Sequence, residues 1–312
     1  MLPTMRSRTG PLLLAWLLAC LPIPALAAAP ASAPVPPEAP RSILVLYSNG
    51  RLLPANVEFD HGLRQALLAV PGPAVEILDE FLDVPRFDSP EHLSAIGTYL
   101  RDKYRQQSPT VLVATGEEAL RFLLQHRDDL FAGVPLVFSG VGRTALRELE
   151  PLPEDVVGIP LELDFVGTVT QAMAWHPKAR RLWIVTGAAE WDRLSESRLR
   201  IEAATFSGRL TVEHLSALPA AELFARLAAL GSESIVFTLG FFQDGAGRNF
   251  VPRESVEAMA TASGAPVYGA YATILGTGAV GGFVSSFADA GREAGRATAQ
   301  VLAGTPLSSL QL

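Results

Sequence analysis

Two rhythms alternate along this chain. Short runs that are apolar on consecutive residues are followed by longer stretches that are apolar at every third or fourth position. The first run, residues 42–49, reads S-I-L-V-L-Y-S-N, with Ile43 to Leu46 unbroken and Tyr47, Ser48, Asn49 and Gly50 following at once. A run with no outward polar face suits a strand buried on both sides of a parallel sheet. A polar loop behind such a strand lies at the carboxyl edge of the sheet, where open α/β folds bind ligands. Residues 55–68 then carry Val57, Leu63 and Leu67 at helical spacing, with Pro54 near the start and Pro71-Gly72-Pro73 as the stop.

The same unit recurs. Strands are predicted at 75–78, 110–113 and 134–138, with helices at 91–107 and 117–126. After a Pro-rich, acidic link at 148–155, residues 156–160 read as a crossover to a second series. That series has helices at 164–175, 191–204, 220–230 and 254–263, and strands at 181–185, 210–215, 234–239 and 266–268. Residues 276–286 are Gly-rich and extended, a second crossover, and 288–303 form the last helix. Strands alternating with helices imply βαβ units and parallel sheets. The expected fold class is therefore α/β, with two Rossmann-like lobes joined by hinge strands. The lobes are assigned as 42–155 with 286–304, and 156–285.

Composition sets the outer limits. At 312 residues, 49% hydrophobic and 18% charged, the chain is of globular type and long enough for two cores. A net charge of −7 with no basic run beyond the first residues argues against nucleic acid as a partner. Arg6 and Arg8 precede an apolar run at 11–19, and Ala25-Leu26-Ala27 has the form of a cleavage site, so 1–27 reads as a secretory signal peptide. A rival reading takes 17–20 as a lipoprotein box with the only cysteine, Cys20, acylated. Either way the protein is exported, with residues 28–41 as a Pro/Ala-rich tether and no disulfide in the mature chain.

Enzyme signatures are missing. The five histidines are scattered without metal spacing, Ser139 lacks the first glycine of a nucleophile elbow, and there is no phosphate loop with Lys. Gly276-Thr277-Gly278-Ala279-Val280-Gly281 fits G-x-G-x-x-G on paper, but the chain continues extended where a dinucleotide site needs a helix to open. A hinge with mobile glycines is the better reading. No catalytic residue, metal or cofactor is assigned.

Binding chemistry gathers in the loops after the strands. Thr115 and Gly116 precede a helix, whose N-terminal N–H groups favour a carboxylate or another anion. Ser139 and Gly140 offer a hydroxyl and open backbone in the equivalent place, and Thr186 with Gly187 repeats the pattern in the second lobe. As single loops these are equally well N-caps and turn glycines. The functional reading comes from their convergence on one edge. Tyr47, Phe241, Phe242, Tyr268 and Tyr271 bring aromatics to the same edge. Two adjacent rings after a strand cannot both enter the core beneath it, so one of Phe241 and Phe242 is expected to face the cleft. Asp244 is a candidate partner for a ligand ammonium, or else a turn cap, and Asn49, Arg51 and Asn56 are further polar candidates.

Several stretches carry a resemblance: 43–49, 111–116, 134–142 and 291–304, together with R-L-L-P-A-N at 51–56, Y-L-R-D-K-Y at 99–104 and L-F-A-G-V-P at 130–135. Across about residues 42–305 the chain resembles the ABC-transporter substrate-binding protein family with the type 1 periplasmic-binding fold. It looks closest to versions fused ahead of bacterial sensor histidine kinases. The resemblance implies two lobes closing on a ligand, with hinges near 156–160 and 278–286. It also implies ligand contacts at Tyr47, Thr115, Gly116, Ser139, Gly140, Thr186 and Asp244. Relatives usually run on from the last helix into a further strand, of which 305–312 would be a truncated start. The expected function is capture of a small organic ligand, such as an amino acid or an aromatic or carboxylate compound. The solute or its signal would pass to a membrane permease or a sensor kinase. The alternatives are a ligand-less interaction module and an enzyme on the same scaffold.

Overall fold

The computed structural model describes residues 41–310 apart from 71–73, 85 and 88. The leader, its cleavage motif, Cys20 and the tether up to residue 40 lie outside the described residues. The first sheet holds β1 (Arg41–Tyr47), β2 (Val75–Phe81), β3 (Val111–Thr115), β4 (Leu136–Gly142) and β5 (Val156–Leu161), all parallel, in the order β2-β1-β3-β4-β5. Helices α1 (Pro54–Leu68), α2 (Pro90–Tyr104), α3 (Glu117–Leu130) and α4 (Arg143–Leu149) connect these strands. Residues of β1 alternate between two cores. Leu44 and Leu46 pack with Leu112 and Leu120, whereas Ile43, Val45 and Tyr47 pack with Phe59 and Leu63. That double burial is why the run at 43–46 has no polar position.

The second lobe repeats the plan with β6 (Arg181–Thr186), β7 (Thr211–Ser216), β8 (Ser234–Thr238) and β9 (Val267–Tyr268) in the order β7-β6-β8-β9. Its helices are α5 (Phe165–Trp175), α6 (Glu190–Ala203), α7 (Ala220–Ala228) and α8 (Pro252–Ala262). In each sheet the first strand of the lobe has its sequence successors on opposite sides, so each has a topological switch point at its carboxyl edge.

Helix α9 (Phe287–Leu302) then returns to the first lobe and lies against α1. The two backbones approach too closely for side chains between them. A Cβ added at Gly62 would sit 2.1 Å from the Ala288 carbonyl oxygen, and one at Gly291 would sit 2.1 Å from that of Phe59. At Gly295 it would lie 2.7 Å from the Leu63 carbonyl oxygen. Around this contact Phe59, Leu63, Ala294 and Ala297 are buried against the β1–β3–β4 face.

Three segments differ from the sequence reading. Residues 156–161, expected to cross into the second lobe, complete the first sheet by pairing with β4, so the crossing falls at 162–164. Helix α4 forms where only a loop and an acidic link were expected; it buries just Ala145 and Leu146, too little to leave a periodic signal. The expected strand start at 305–312 is instead a single 3-10 turn at Leu307–Ser309 behind Pro306, and no strand follows α9 among the described residues. The 276–286 stretch, expected to be extended throughout, begins as a turn at 276–278, and only its later part runs beside residues 268–271, through bridges from Tyr268 to Gly281 and from Tyr271 to Ser285. Gly276, Gly278 and Gly281 have φ of 82°, 92° and 115°, and the next helix opens only at Phe287, so the geometry is not that of a dinucleotide loop.

The α1–α9 contact makes a direct prediction. Gly291→Ala should lower the urea midpoint, because overpacking of about 1–3 kcal/mol outweighs the ~1 kcal/mol that Ala gains over Gly in a helix. Gly62→Ala combined with it should lower the midpoint further. Gly231→Ala, where an added Cβ meets nothing within 4 Å, should leave it unchanged.

Candidate functional site

The carboxyl edges of the two sheets face each other across a cleft with about 1380 Å³ of free space, solvent at its mouth included. The first lobe contributes Asn49, residues 53–56, Thr115, Gly116, Glu117, Glu118, Gly140 and Gly142. The second contributes Trp191, Ser195, Arg198, Leu199 and Glu202 from one face of α6, with Phe242, Arg253 and Tyr271 beside them. Leu161, Leu163 and Phe165 close the cleft along the crossing segment, and Phe287 closes it at the start of α9. Among the described residues no group of three or more His, Cys, Asp or Glu side chains could hold a metal.

Local geometry explains the first-lobe wall. Asn56, near the start of α1, is buried and gives both of its amide bonds to backbone, at 3.1 Å to Asn49 O and 3.0 Å to Gly50 O. It thereby shapes the loop after β1 and is not free to bind. Gly116 caps α3 with φ 96°, and a Cβ there would lie 2.4 Å from Ser48 Oγ. Ser48 itself accepts the Ala119 N–H at 2.9 Å, so one orphan donor of α3 is already used. Gly140 has φ 74° and sits where the β4–β5 register shifts between Ser139 and Val141, a bulge that brings the backbone to the cleft.

The second-lobe wall is organised by Asp192, which the sequence reading did not single out. Its carboxylate, 1% exposed, accepts N–H groups from Ala189 (3.0 Å), Phe242 (3.2 Å) and Gln243 (3.3 Å). It thus fixes the loops after β6 and β8 to each other. Burial pushes its pKa up to about 6, although these three N–H groups pull the other way. Phe242 meets Trp191 edge to face, with ring centroids 5.5 Å apart. Tyr271 packs on Phe287 at 5.2 Å, and burial raises its hydroxyl pKa.

Of the residues singled out from sequence, Asn49, Thr115, Gly116, Gly140 and Phe242 line this cleft together, as do Asn56 and Tyr271. Ser139 lies directly beneath: it is fully buried, and its Oγ has no hydrogen-bond partner. The others go elsewhere. Tyr47 is buried under α1, stacked on Phe81 at 4.8 Å, with its hydroxyl 3.3 Å from Asp60. Thr186 bonds Ser216 at 3.0 Å, and Gly187 is pressed against Asp192 and the Gln243 backbone. Phe241 enters the core beside Phe250, the inward member of the pair. Asp244 is the turn cap, not the ammonium partner. It accepts Ala220 N–H at 3.0 Å, Ala246 N–H at 2.9 Å and Arg248 N–H at 2.8 Å; burial pulls its pKa up, but these bonds hold it below the usual range. Tyr268 is buried with its hydroxyl on His176 at 2.7 Å, and Arg51 is exposed. The missed residues of α6 were legible in principle, since Trp191, Ser195, Arg198, Leu199 and Glu202 share one helical face.

No family model and no curated protein matches the sequence. Solved structures do resemble the fold. A conserved domain protein from Vibrio cholerae is 19% identical with a TM-score of 0.60, covering 87% of this chain and 88% of its own. An ABC domain from Streptococcus pneumoniae, in complex with L-Trp, is 15% identical with a TM-score of 0.61, covering 88% of each chain. A solute-binding protein of an ABC transporter from R. palustris, in complex with 4-hydroxybenzoate, is 16% identical with a TM-score of 0.55, covering 86% and 82%. The chain has the type 1 periplasmic-binding fold. In a type 1 periplasmic-binding fold the switch points of both sheets open on the interlobe cleft, which is where the lining residues are found here. At these identities the likeness speaks for the fold.

Asp192 supplies the test of how this wall is held. Asp192→Ala leaves three buried N–H groups without an acceptor and should cost about 2–4 kcal/mol in denaturant unfolding. Asp192→Asn keeps an acceptor and removes the ionisation. Because the folded pKa lies above the ordinary value of 3.8, the stability this group contributes is complete below pH 4 and is lost as pH rises through 6. The parent should therefore lose on the order of 2 kcal/mol relative to Asp192→Asn between pH 4 and 7.

Proposed function

We infer that this chain is an exported solute-binding protein without catalytic activity, which captures a small organic molecule between its lobes. The observation that carries this reading is the cleft itself. Both lobes line it, aromatic rings (Trp191, Phe242, Tyr271) stand beside a few polar groups, and the two sheets have their switch points there. The solved structures of the same fold include proteins bound to L-Trp, 4-hydroxybenzoate and myo-inositol, all small molecules of the size such a cleft takes. Export is read from the basic and apolar leader; no described helix is long and apolar enough to cross a membrane.

Closure would work by differential contact. Arg198 of the second lobe already reaches Glu117 of the first, at 3.2 Å, and a ligand touching both walls adds contacts that exist only when the lobes are together. The closed form then presents itself to a membrane partner, a permease that takes the solute or a sensor kinase that reads occupancy. The test is a thermal-shift screen of residues 28–312 against amino acids, aromatic acids, amines, polyols and nucleobases. A ligand at 100 times its dissociation constant adds about 2.7 kcal/mol of stability. One clear hit is the expected result. A cooperative melt that no compound shifts would overturn the reading.

A further inference from the structure

We propose that the cleft takes an organic cation with an aromatic or apolar body, its ammonium received at the first-lobe wall by Glu118, with the Thr115 hydroxyl on the same wall. This rests on the solute-binding reading and names the chemical class of the solute. It starts from which charges in the cleft already have partners.

The cationic side chains of the cleft are occupied. Arg198 is paired with Glu117, which also holds Arg121 at 3.0 Å. Arg253 donates to the carbonyl oxygens of Thr273 and Leu275, and it draws down the pKa of Glu58, a carboxyl of the opposite lobe that burial raises. Two carboxylates of the lining are in the reverse position. Neither Glu118 nor Glu202 forms a salt bridge with a described residue. Both are raised by burial, Glu202 further by the neighbouring Asp164. Glu202 moreover stands in the last turn of α6, where the helix dipole disfavours an anion. The Glu118 carboxylate accepts hydrogen bonds from the Ser48 hydroxyl and from its own backbone N–H, but like Glu202 it is in no salt bridge, and a cleft whose guanidinium groups are engaged while two carboxylates lack a paired cation favours a positive ligand.

Thr115 and Glu118 both line the first-lobe wall. Thr115 and Ser139 are register partners in adjacent parallel strands, so their side chains leave the same face of the sheet, and Thr115 lines the cleft. Ser139 Oγ, though unpartnered, is fully buried and outside the cleft lining, so it is not assigned a ligand contact. The Glu118 carboxylate lies over Gly116, with an oxygen 3.8 Å from where a Cβ there would stand. An ammonium carries three donors, and the wall offers it the Glu118 carboxylate and the Thr115 hydroxyl as acceptors. Meanwhile Glu117 and Glu118 fill the first turn of α3 with their own negative charge, so a ligand carboxylate at that N-terminus would meet repulsion. Trp191 and Phe242, edge to face on the opposite wall, present apolar surface for the ligand body.

The test uses matched probes that share a body and differ in charge: 2-phenylethylamine, 2-phenylethanol and 3-phenylpropanoate, then tryptamine and indole-3-propanoate. Binding is read by calorimetry and thermal shift on the same protein. The amines should bind at least about tenfold more tightly than the alcohol or the acids. Glu118→Gln should abolish that preference while melting no lower than the parent, since it removes a buried charge with no paired cation and keeps an acceptor for the Ser48 hydroxyl. Acids or alcohol binding as tightly as the amines would overturn the cation assignment while leaving solute binding standing. An amine preference that survives Glu118→Gln would overturn the assignment of the ammonium to that carboxylate. If neither these probes nor any compound of the wider screen binds, solute binding itself falls, and the cation assignment with it.

Discussion

Helix α9 can lie on α1 only because Gly62, Gly291 and Gly295 leave the two backbones free to touch, and most of the architecture follows from that approach. The second lobe is an insertion between β5 and α9, so the chain must leave the first lobe at 162–164 and come back at 286. The return works only if α9 has a surface to dock on. The shared surface buries Phe59, Leu63, Ala294 and Ala297 against the same face of the sheet that carries Ile43, Val45 and Tyr47. Loss of the approach would take α9 off that face and expose its apolar residues. It would also release one of the two strands that hold the lobes at a fixed distance.

Those two connections are tied to each other as well as to the lobes. Ser285 takes part in the bridge to Tyr271, and its hydroxyl donates to the Glu162 carbonyl oxygen, so the outgoing and returning strands form a narrow ribbon. The two crossings are thus linked, so a movement of one lobe against the other would involve both. The walls that meet are stiff for separate reasons: the bulge at Gly140 and the α3 cap on one side, Asp192 and its three N–H groups on the other.

The fold was legible in the sequence because it is written in burial. A strand covered on both faces must be apolar through its middle, and Ile43 to Leu46 of β1, Val111 to Ala114 of β3 and Ile235 to Phe237 of β8 obey that, with polar residues only toward the strand ends. Elements that bury little escaped notice. Helix α4 covers two residues of core, and β5 at the sheet edge looked like a connection because Pro160 and Gly158 interrupt its pattern. The site was less legible, for a reason that Asp244 and Asp192 make plain. Both are acidic residues near loops after strands, and either could serve a ligand or the backbone. Which donors surround each carboxylate depends on how separate loops come together, and no local spacing encodes that. Tyr47 and Tyr268 mislead in the same way: a ring at the end of a strand points into the core or the cleft according to the helix that covers it.

The loops also show that position at a helix N-terminus does not by itself define an anion site. Gly116 brings backbone N–H groups to the cleft, as such loops do in many α/β proteins. Here Ser48 takes one of those donors, and two glutamates occupy the first helical turn. The dipole that would attract a ligand carboxylate instead stabilises the protein's own carboxylates, of which Glu117 is paired with Arg121 and Arg198 and Glu118 is in no salt bridge. The sign of the ligand is then set by what the second lobe leaves unpaired. Since Arg198 spans to Glu117 and Arg253 is bound to backbone, the balance of free charge on both walls is negative. Charge recognition in this cleft thus follows from which internal partners its side chains already have, and the same scaffold with Glu118 and Glu202 replaced by neutral residues would read a different chemistry.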